Sequence, residues 1–95
     1  MSREYYTVHE MTEFGPSPDS WLHYSATFGC WRVDCVSMGG RNWVEGGMPF
    51  SSLEVVYRHI EEWRNGREYR PVPIAIVHHV TRSEIIEEIP AGSEA

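Results

Sequence analysis

The sequence contains no lysine, so all eight of its basic residues are arginine. Fourteen acidic residues outnumber them and give a formal net charge of −6 at neutral pH. Proteins that bind nucleic acid directly present clustered lysine and arginine side chains to the phosphates. An acidic chain of this composition therefore disfavours direct binding to nucleic acid.

Long hydrophobic runs are also missing. None approaches the roughly 18 residues that a transmembrane helix needs. The N-terminal stretch MSREYYTVHE lacks the basic segment followed by an apolar stretch that marks a secretory signal. These two absences predict a protein that neither spans a membrane nor is secreted by that route, and the expected location is the cytoplasm.

Cysteine is scarce, with Cys30 and Cys35 both in the stretch FGCWRVDCV. If this stretch is a strand, the two residues lie roughly 16 Å apart on opposite faces, whereas a disulfide needs Cα atoms within roughly 7 Å. Their spacing also fits poorly with a zinc knuckle, which needs a second ligand pair at a regular offset. The candidate second pair, His78 and His79, alternates across a strand. We therefore interpret the cysteines as reduced structural residues, with a metal or redox site as the alternative.

Motifs of known chemistry are absent as well. The segment SMGGRNWVEGG contains neither GxGxxG nor a Walker pattern, no nucleophile elbow is present, and HEMTE lacks the second histidine of a zinc-protease helix. Glu84, Glu87 and Glu88 lie in a charged tail, where carboxylates stay unshifted unless burial or a charge partner intervenes. The sequence therefore predicts a protein that is not an enzyme and assigns no catalytic, cofactor-binding or metal-binding residue.

What the chain does contain is enough apolar material for one small core. Its 95 residues are 41% hydrophobic and 13% aromatic, which is typical of a globular protein. We expect a single domain over residues 1–90. The last residues, 91–95, follow Pro90 and are expected to be a frayed tail.

The best-defined element is a helix within SSLEVVYRHIEEWRNG, where apolar residues recur at helical spacing and charged residues occupy the other face. Ser51 is the expected N-cap, with Glu54 completing a capping box. Gly66 is expected to end the helix in a left-handed conformation. The apolar stripe consists of Leu53, Val56, Tyr57, Ile60 and Trp63.

Three segments have the composition or the alternation of β-strands. EYYTVHEMTEF is rich in aromatic and β-branched residues, and PIAIVHHVT is almost continuously apolar. CWRVDCV alternates, with Trp31, Val33 and Cys35 on one face and Arg32 and Asp34 on the other. GPSPDS and GGRNWVEGGMP are predicted loops because of their glycine, proline, asparagine and aspartate content.

Two segments stay open at this point. Residues 19–28 fit a short helix about as well as an extended hairpin arm, and residues 81–89 fit either a continuation of the last strand or a short helix capped by Ser83. The predicted fold class is α+β. The expected architecture is a small ββαβ domain, an antiparallel sheet of three or four strands with the amphipathic helix packed on one face.

Large aromatic side chains are more numerous than one helix on such a sheet hides, and tyrosine, tryptophan and arginine are enriched at interface hot spots. The loop RNWVEGGMPF contains Arg41, Trp43, Met48 and Phe50, which we predict to be partner-binding residues. The alternative is that Trp43 and Phe50 fold back over the helix as a hydrophobic lid. The aromatic set is Tyr5, Tyr6, Trp21, Tyr24, Trp31, Trp43, Trp63 and Tyr69.

From Phe50 to Glu88 the chain resembles small uncharacterised accessory proteins encoded by phages of high-GC actinobacteria. The resemblance rests on the helix in FSSLEVVYRHIEEWRNGREYR followed by IAIVHHVTRSEIIEE, and it covers less than half of the chain. It implies a phage or phage-like origin and a helix on a sheet, with no assigned site residues. The cysteine-bearing strand and the aromatic N-terminal half depart from that group.

The predicted function is a non-enzymatic protein–protein interaction module that binds or inhibits a host or viral protein, a host defence component among the candidates. No cofactor, membrane or nucleic-acid partner is expected, whereas a homodimer through the open sheet face or an edge strand is compatible with the fold. A virion structural or self-assembling protein is the second hypothesis. The third is a small enzyme or metal protein that uses Cys30, Cys35, His78 and His79.

Overall fold

The computed structural model describes residues 4–36, 46–80 and 83–92. Neighbouring strands are all antiparallel, in the order β3-β2-β1-β4-β5 across one sheet. The elements are β1 (Tyr5–Thr12), β2 (Gly15–Ser25), β3 (Cys30–Cys35), α1 (Leu53–Arg64), β4 (Ile74–His79) and β5 (Ser83–Ile89).

The structure confirms the α+β class, the antiparallel sheet and the single helix, but the predicted ββαβ order of three or four strands is wrong. Both undecided segments are strands. Residues 19–28 form the second half of β2 and the turn that follows it. The C-terminal segment neither continues β4 nor forms a helix, because the chain reverses and returns beside β4 as β5.

The predicted loop GPSPDS also belongs to a strand, the first half of β2. Pro16 and Pro18 have no backbone N–H to give to a ladder, and prolines within sheets concentrate at irregular positions. The pairing of β1 with β2 shifts register between His9 and Met11, beside this proline-containing half. Strand β2 therefore accommodates its two prolines beside a position where its pairing with β1 is irregular. The other predicted loop, 39–49, is described from Gly46 onward and has no regular structure there.

The two faces of the sheet are both largely buried. The helix face carries Val8, Leu22, Val33 and Ile76, which pack with the helix into one core. Trp31 and Cys35 share that face and Arg32 and Asp34 share the other, as the alternation of CWRVDCV predicts.

The opposite face, which we call the far face, is not open as the predicted architecture implied. Thr7, His9 and Val77 are 0% exposed on it and Trp21 is 6% exposed. Gly46 and Gly47 run across these side chains, so a segment outside the helix helps to cover the second face.

Helix α1 begins one residue later than predicted. Ser52 is the N-cap, with an extended backbone and a side-chain oxygen that accepts from the N–H of Val55 at 3.2 Å. The assignment of Ser51 is wrong because Phe50 pairs with Tyr6 through two backbone hydrogen bonds, which keeps the preceding chain extended up to this point.

The helix ends without a left-handed residue. Asn65 at φ −93° is the C-cap, and its N–H donates to the carbonyl of Glu61. Gly66, expected to be left-handed, instead donates its N–H to the carbonyl of Trp63 at 3.1 Å in a tight turn. The left-handed conformation predicted for Gly66 is therefore wrong. The chain after α1 continues alongside β3 and does not need the change of direction that a left-handed residue gives.

The buried positions of α1 are Val56, Ile60 and Trp63. Tyr57, predicted in the same stripe, is 45% exposed and donates its hydroxyl to Glu87 of β5. The helix therefore packs mainly on β1 and β3 and is also joined to β5 through this tyrosine. Within the described residues, no helix is long and apolar enough to cross a membrane. Ala91 and Gly92 form a turn, and the rest of the predicted frayed tail lies outside the described residues.

Candidate functional site

The two edges of the sheet differ in how they are protected. At the β3 edge, residues that follow the helix reach the strand: Arg70 donates to the carbonyl of Val33 at 2.7 Å, and Arg67 donates to the carbonyl of Phe28 at 3.0 Å. Unpaired edge groups are a template for pairing with another chain, and charged side chains laid along an edge blunt that tendency. One backbone acceptor of β3, and one in the turn before it, are therefore already occupied by the protein's own arginines.

A charged chain on the far face extends this protection. Arg32 bonds Asp34 at 2.8 Å and Glu68 at 2.5 Å, and His23 bonds the second oxygen of Asp34 at 2.6 Å. Burial acts to raise the pKa of Asp34, but the hydrogen bonds from His23 and Arg32 outweigh burial and hold that pKa below its usual range. These bonds join β2, β3 and the 65–70 segment at one side of the molecule.

The β5 edge has no comparable cover among the described residues. Strand β5 is the last in the sheet, and no described backbone or side-chain group bonds its outer edge. Ile85 and Ile86 are 37% and 39% exposed, so the strand also presents apolar side chains. An edge strand with free backbone groups and exposed aliphatic residues has the features of a strand-addition site.

A groove lies between α1 and β5 on the helix face. It has a volume of about 460 Å³ and opens beside Ile89, the last residue of β5. Its floor and rim combine aromatic, aliphatic and charged side chains, so it suits an apolar side chain with a polar neighbour. The lining residues are Tyr57, Ile60, Glu61, Arg64, Asn65, Tyr69 and Ile89.

The four residues predicted to bind a partner are placed as follows. Arg41 and Trp43 lie outside the described residues. Phe50 is 4% exposed and belongs to the core, and Met48 packs partly buried against it. Phe50 is therefore part of the core, as expected from the alternative in which the loop folds back. Its contact with a partner stays a prediction.

Other aromatic residues are on the surface, as expected from their number. Tyr24 is 51% exposed beside Trp31, and Trp31 in turn stacks on His59 at 4.1 Å between ring centroids. Phe28 is 44% exposed at the tip of the β2–β3 hairpin. The exposed rings thus lie at the β2–β3 side of the sheet, Tyr24 beside Trp31 on the helix face and Phe28 under the guanidinium of Arg32.

The metal alternative requires Cys30, Cys35, His78 and His79 to converge, and the fold separates them. The cysteines are free, occupy the two ends of β3 and point to opposite faces. The histidines lie on opposite faces of β4, with β2 and β1 between the two strands. Within the described part of the chain, no three His, Cys, Asp or Glu side chains are grouped to hold a metal ion.

The most connected polar group in the interior is a chain of two histidines and a threonine on the far face. Thr7 Oγ1 lies 2.8 Å from His9 Nε2 and 2.8 Å from His79 Nε2. His9 Nδ1 lies 2.8 Å from the carbonyl oxygen of Ser17. All three side chains are at most 3% exposed.

The direction of these hydrogen bonds follows from donor and acceptor chemistry. The Ser17 carbonyl accepts, so His9 Nδ1 carries a proton and its Nε2 accepts in the neutral ring. The Thr7 hydroxyl therefore donates to His9, and its oxygen accepts from the Nε2–H of His79. Burial lowers the pKa of His9 to about 4, against the opposing hydrogen bond to Ser17 and with a further contribution from His79. Burial and the neighbouring His78 also lower the pKa of His79.

This arrangement resembles an activated hydroxyl beside a base, but Thr7 and His9 are 0% exposed. A substrate does not reach these side chains in this conformation. Their role is therefore structural, since their hydrogen bonds join β1, β2 and β4 across the far face. Sequence reasoning missed this group because His79 is distant along the chain from Thr7 and His9. The short pattern TVH at residues 7–9 matches no known motif, and the nearest signal was an apolar strand that carries histidines.

Gly47 sits against this group, at φ +110°, with an added Cβ placed 2.8 Å from the Cβ and Cγ2 of Thr7. We predict that Gly47→Ala destabilises the protein more than Gly92→Ala. Gly92 also has a positive φ, of 73°, but an added Cβ there meets nothing within 4 Å. The two variants share backbone strain and differ in the steric clash, so the difference in unfolding free energy is expected to be about 1 to 3 kcal/mol.

Denaturant unfolding of the two glycine variants, followed by tryptophan fluorescence, measures that difference. Equal losses of stability in both variants would show that the segment of Gly46 and Gly47 moves away from Thr7 without loss of free energy. That segment would then not stabilise the far face.

Comparison with known proteins gives no relative: no family model, no curated protein and no solved structure matches the chain.

Proposed function

We propose that this protein is a non-enzymatic interaction module that binds a partner protein by adding one of the partner's strands to β5. The observation that carries the proposal is the contrast between the two sheet edges. Arg67 and Arg70 occupy backbone acceptors at or beside β3, whereas no described residue does so along β5. A chain that blocks one edge and leaves the other open directs strand pairing to the open edge.

Strand addition accounts for the exposed side chains of β5. In this mode the backbone hydrogen bonds supply affinity, and alternate side chains supply specificity. Ile85 and Ile86 lose water contact when a partner strand packs beside them, which contributes favourably in proportion to the apolar area buried. The hydroxyl bond from Tyr57 to Glu87 fixes β5 against the helix, so the edge is held in place before a partner arrives.

The partner is a host or viral protein in this proposal, following the resemblance to accessory proteins of actinobacterial phages. Arg41, Trp43, Met48 and Phe50 stay predicted contacts, and the experiment below separates them from β5.

We predict that Ile85→Lys abolishes capture of the partner from a lysate of a high-GC actinobacterium. The lysine places a charge at an exposed edge position, which is how natural edges avoid pairing. Tagged wild-type protein is compared with Ile85→Lys and with two further variants. Phe14→Ser changes a side chain that is 92% exposed at the β1–β2 turn and serves as the surface control, and Trp43→Ala tests the predicted loop.

The expected result is a specific protein retained by wild type and Phe14→Ser and lost by Ile85→Lys, with all variants showing the same circular dichroism. Loss with Trp43→Ala and retention with Ile85→Lys would move the site to the loop. Recovery of no protein above the level of an unrelated acidic bait would contradict the proposed function.

A further inference from the structure

We infer that the strand received by β5 belongs to an extended, basic segment in which pairs of lysine or arginine residues alternate with pairs of aliphatic residues. This inference rests on the proposed function and names the chemistry of its partner. It depends on the charges of β5 itself, on what a second copy would place there, and on the groove at the end of the strand.

The charges along β5 all have one sign. Its seven residues include Glu84, Glu87 and Glu88 and no basic residue. Glu84 and Glu88 are exposed, and Glu84 lies opposite His78 whereas Glu88 lies opposite Ala75 on the other face. Opposite charges on facing positions of paired strands stabilise the pair, and like charges destabilise it. A partner strand therefore gains from a basic residue on each face.

A second copy of this chain is a poor occupant for the same reason. An antiparallel pair of two β5 strands around a two-fold axis places Glu84 opposite Glu87 or Glu88, or Glu87 opposite its own counterpart, in most of the central registers. The register shift between Ile76 and Val77 adds an irregularity to β5 that a flat symmetric pair does not accommodate. Net charge adds long-range repulsion between copies.

The apolar part of the segment follows from the exposed isoleucines and the groove. Ile85 and Ile86 offer aliphatic contact beside the glutamates. On the helix face, Ile89 and Tyr57 form part of the groove wall. An aliphatic side chain of the partner strand that points to this face packs against that wall, and one on the far face packs beside Ile85. Because neighbouring residues of a strand point to opposite faces, a basic and an aliphatic residue on each face require pairs of basic residues alternating with pairs of aliphatic residues.

The test is a titration of the full-length protein with blocked peptides of the same length as β5. One peptide alternates pairs of lysine with pairs of valine, one has glutamine in place of every lysine, and one replaces the central valine of the lysine peptide by proline, which lacks the N–H that pairing needs. Isothermal titration calorimetry at low and at high salt gives the dissociation constants.

Two double variants isolate the charges of β5. Glu84→Gln with Glu88→Gln removes the exposed acids of the edge. Glu13→Gln with Asp19→Asn makes the same carboxylate-to-amide change at exposed positions in or beside β2, which β1 and β4 separate from β5, and gives the same net charge. Glu87 is left unchanged in both because Tyr57 donates to it.

The expected result is that the lysine peptide binds about five- to tenfold tighter than the glutamine peptide, in keeping with two exposed ion pairs, one to Glu84 and one to Glu88. That advantage disappears in the β5 double variant and at high salt, persists in the control variant, and the proline peptide does not bind.

Other outcomes overturn one statement or the other. If the glutamine peptide binds as tightly as the lysine peptide, and Ile85→Lys abolishes the binding of both, strand addition at β5 is supported and the inference of a basic partner is wrong. If the control variant loses as much affinity as the β5 variant, the attraction is to net charge and the inference fails. A dimer in sedimentation that Ile85→Lys dissociates would make a second copy the occupant. If neither peptide binds, strand addition at β5 itself fails.

Discussion

Replacing Thr7 by valine is expected to lower the unfolding free energy by roughly 2 to 6 kcal/mol, because it removes one hydrogen bond from each of two buried imidazoles, at about 1 to 3 kcal/mol for each. Valine matches threonine in shape, so the variant creates no cavity. It removes the hydroxyl that lies 2.8 Å from both His9 Nε2 and His79 Nε2. The loss is therefore one of hydrogen bonding within a site that is 0% exposed at Thr7.

Thr7→Ser is the matched control, since it keeps the hydroxyl and deletes a methyl group. It is expected to lose about 1 kcal/mol, the order of one buried methylene. Urea unfolding of both variants, followed by circular dichroism and by tryptophan fluorescence, gives the two values. A valine variant as stable as the serine variant would mean that the hydroxyl does not join the two imidazoles in solution.

Mild acid, between about pH 6.5 and about pH 4, is expected to destabilise the protein because of the buried His9. In the folded protein burial holds the pKa of His9 at about 4, whereas the unfolded chain has the ordinary value of 6.5. The unfolded state therefore binds a proton first as the pH falls. Stability is complete above about pH 6.5, decreases down to about pH 4 and then levels off, with a total loss from His9 of about 3 kcal/mol.

His79 adds to this loss, since burial lowers its pKa as well. Asp34 acts in a different window: its pKa lies below the ordinary 3.8, so the stability that it contributes is lost only below about that pH. Unfolding free energies from urea melts between pH 7 and 4.5 give the slope. An NMR titration of the histidine ring protons identifies the group, and a His9 ring that titrates near 6.5 would contradict the buried neutral histidine.

The sequence predicted the elements whose patterns are local. The helix, with its stripe at 3.6-residue spacing, and the apolar strand at Ile74–His79 were both placed correctly. CWRVDCV alternates, and its faces were assigned correctly as well. In these segments the residues that define the helix or strand lie close together in the sequence. A short stretch of sequence is therefore enough to predict the element.

Errors arose where pairing between distant residues decides the structure. GPSPDS has the composition of a loop, and it is a strand because β1 pairs beside it and because His9 binds the carbonyl of Ser17. The segment SEIIEEI contains neither a clear period nor a turn signal, and it is a strand because β4 offers it an edge. Local composition carries no information on either neighbour.

The candidate site was predictable only in kind. An interaction surface was expected from the surplus of aromatic residues, and an edge strand was named as a route to association. Which edge stays open depends on Arg67 and Arg70, whose reach to β3 is set by the path of the chain after α1. Phe50, predicted as a contact residue from its loop, is 4% exposed and belongs to the core, and its contact with a partner stays a prediction.

The measurement that tests strand addition most directly is a map of amide chemical shifts in labelled protein during titration with the lysine–valine peptide. The account predicts shifts and slowed amide exchange along Ser83–Ile89, smaller changes at Ile89 and Tyr57 beside the groove, and none along β3. Shifts centred on Tyr24 and Phe28, with β5 unchanged, would contradict it and place the binding surface at the aromatic hairpin.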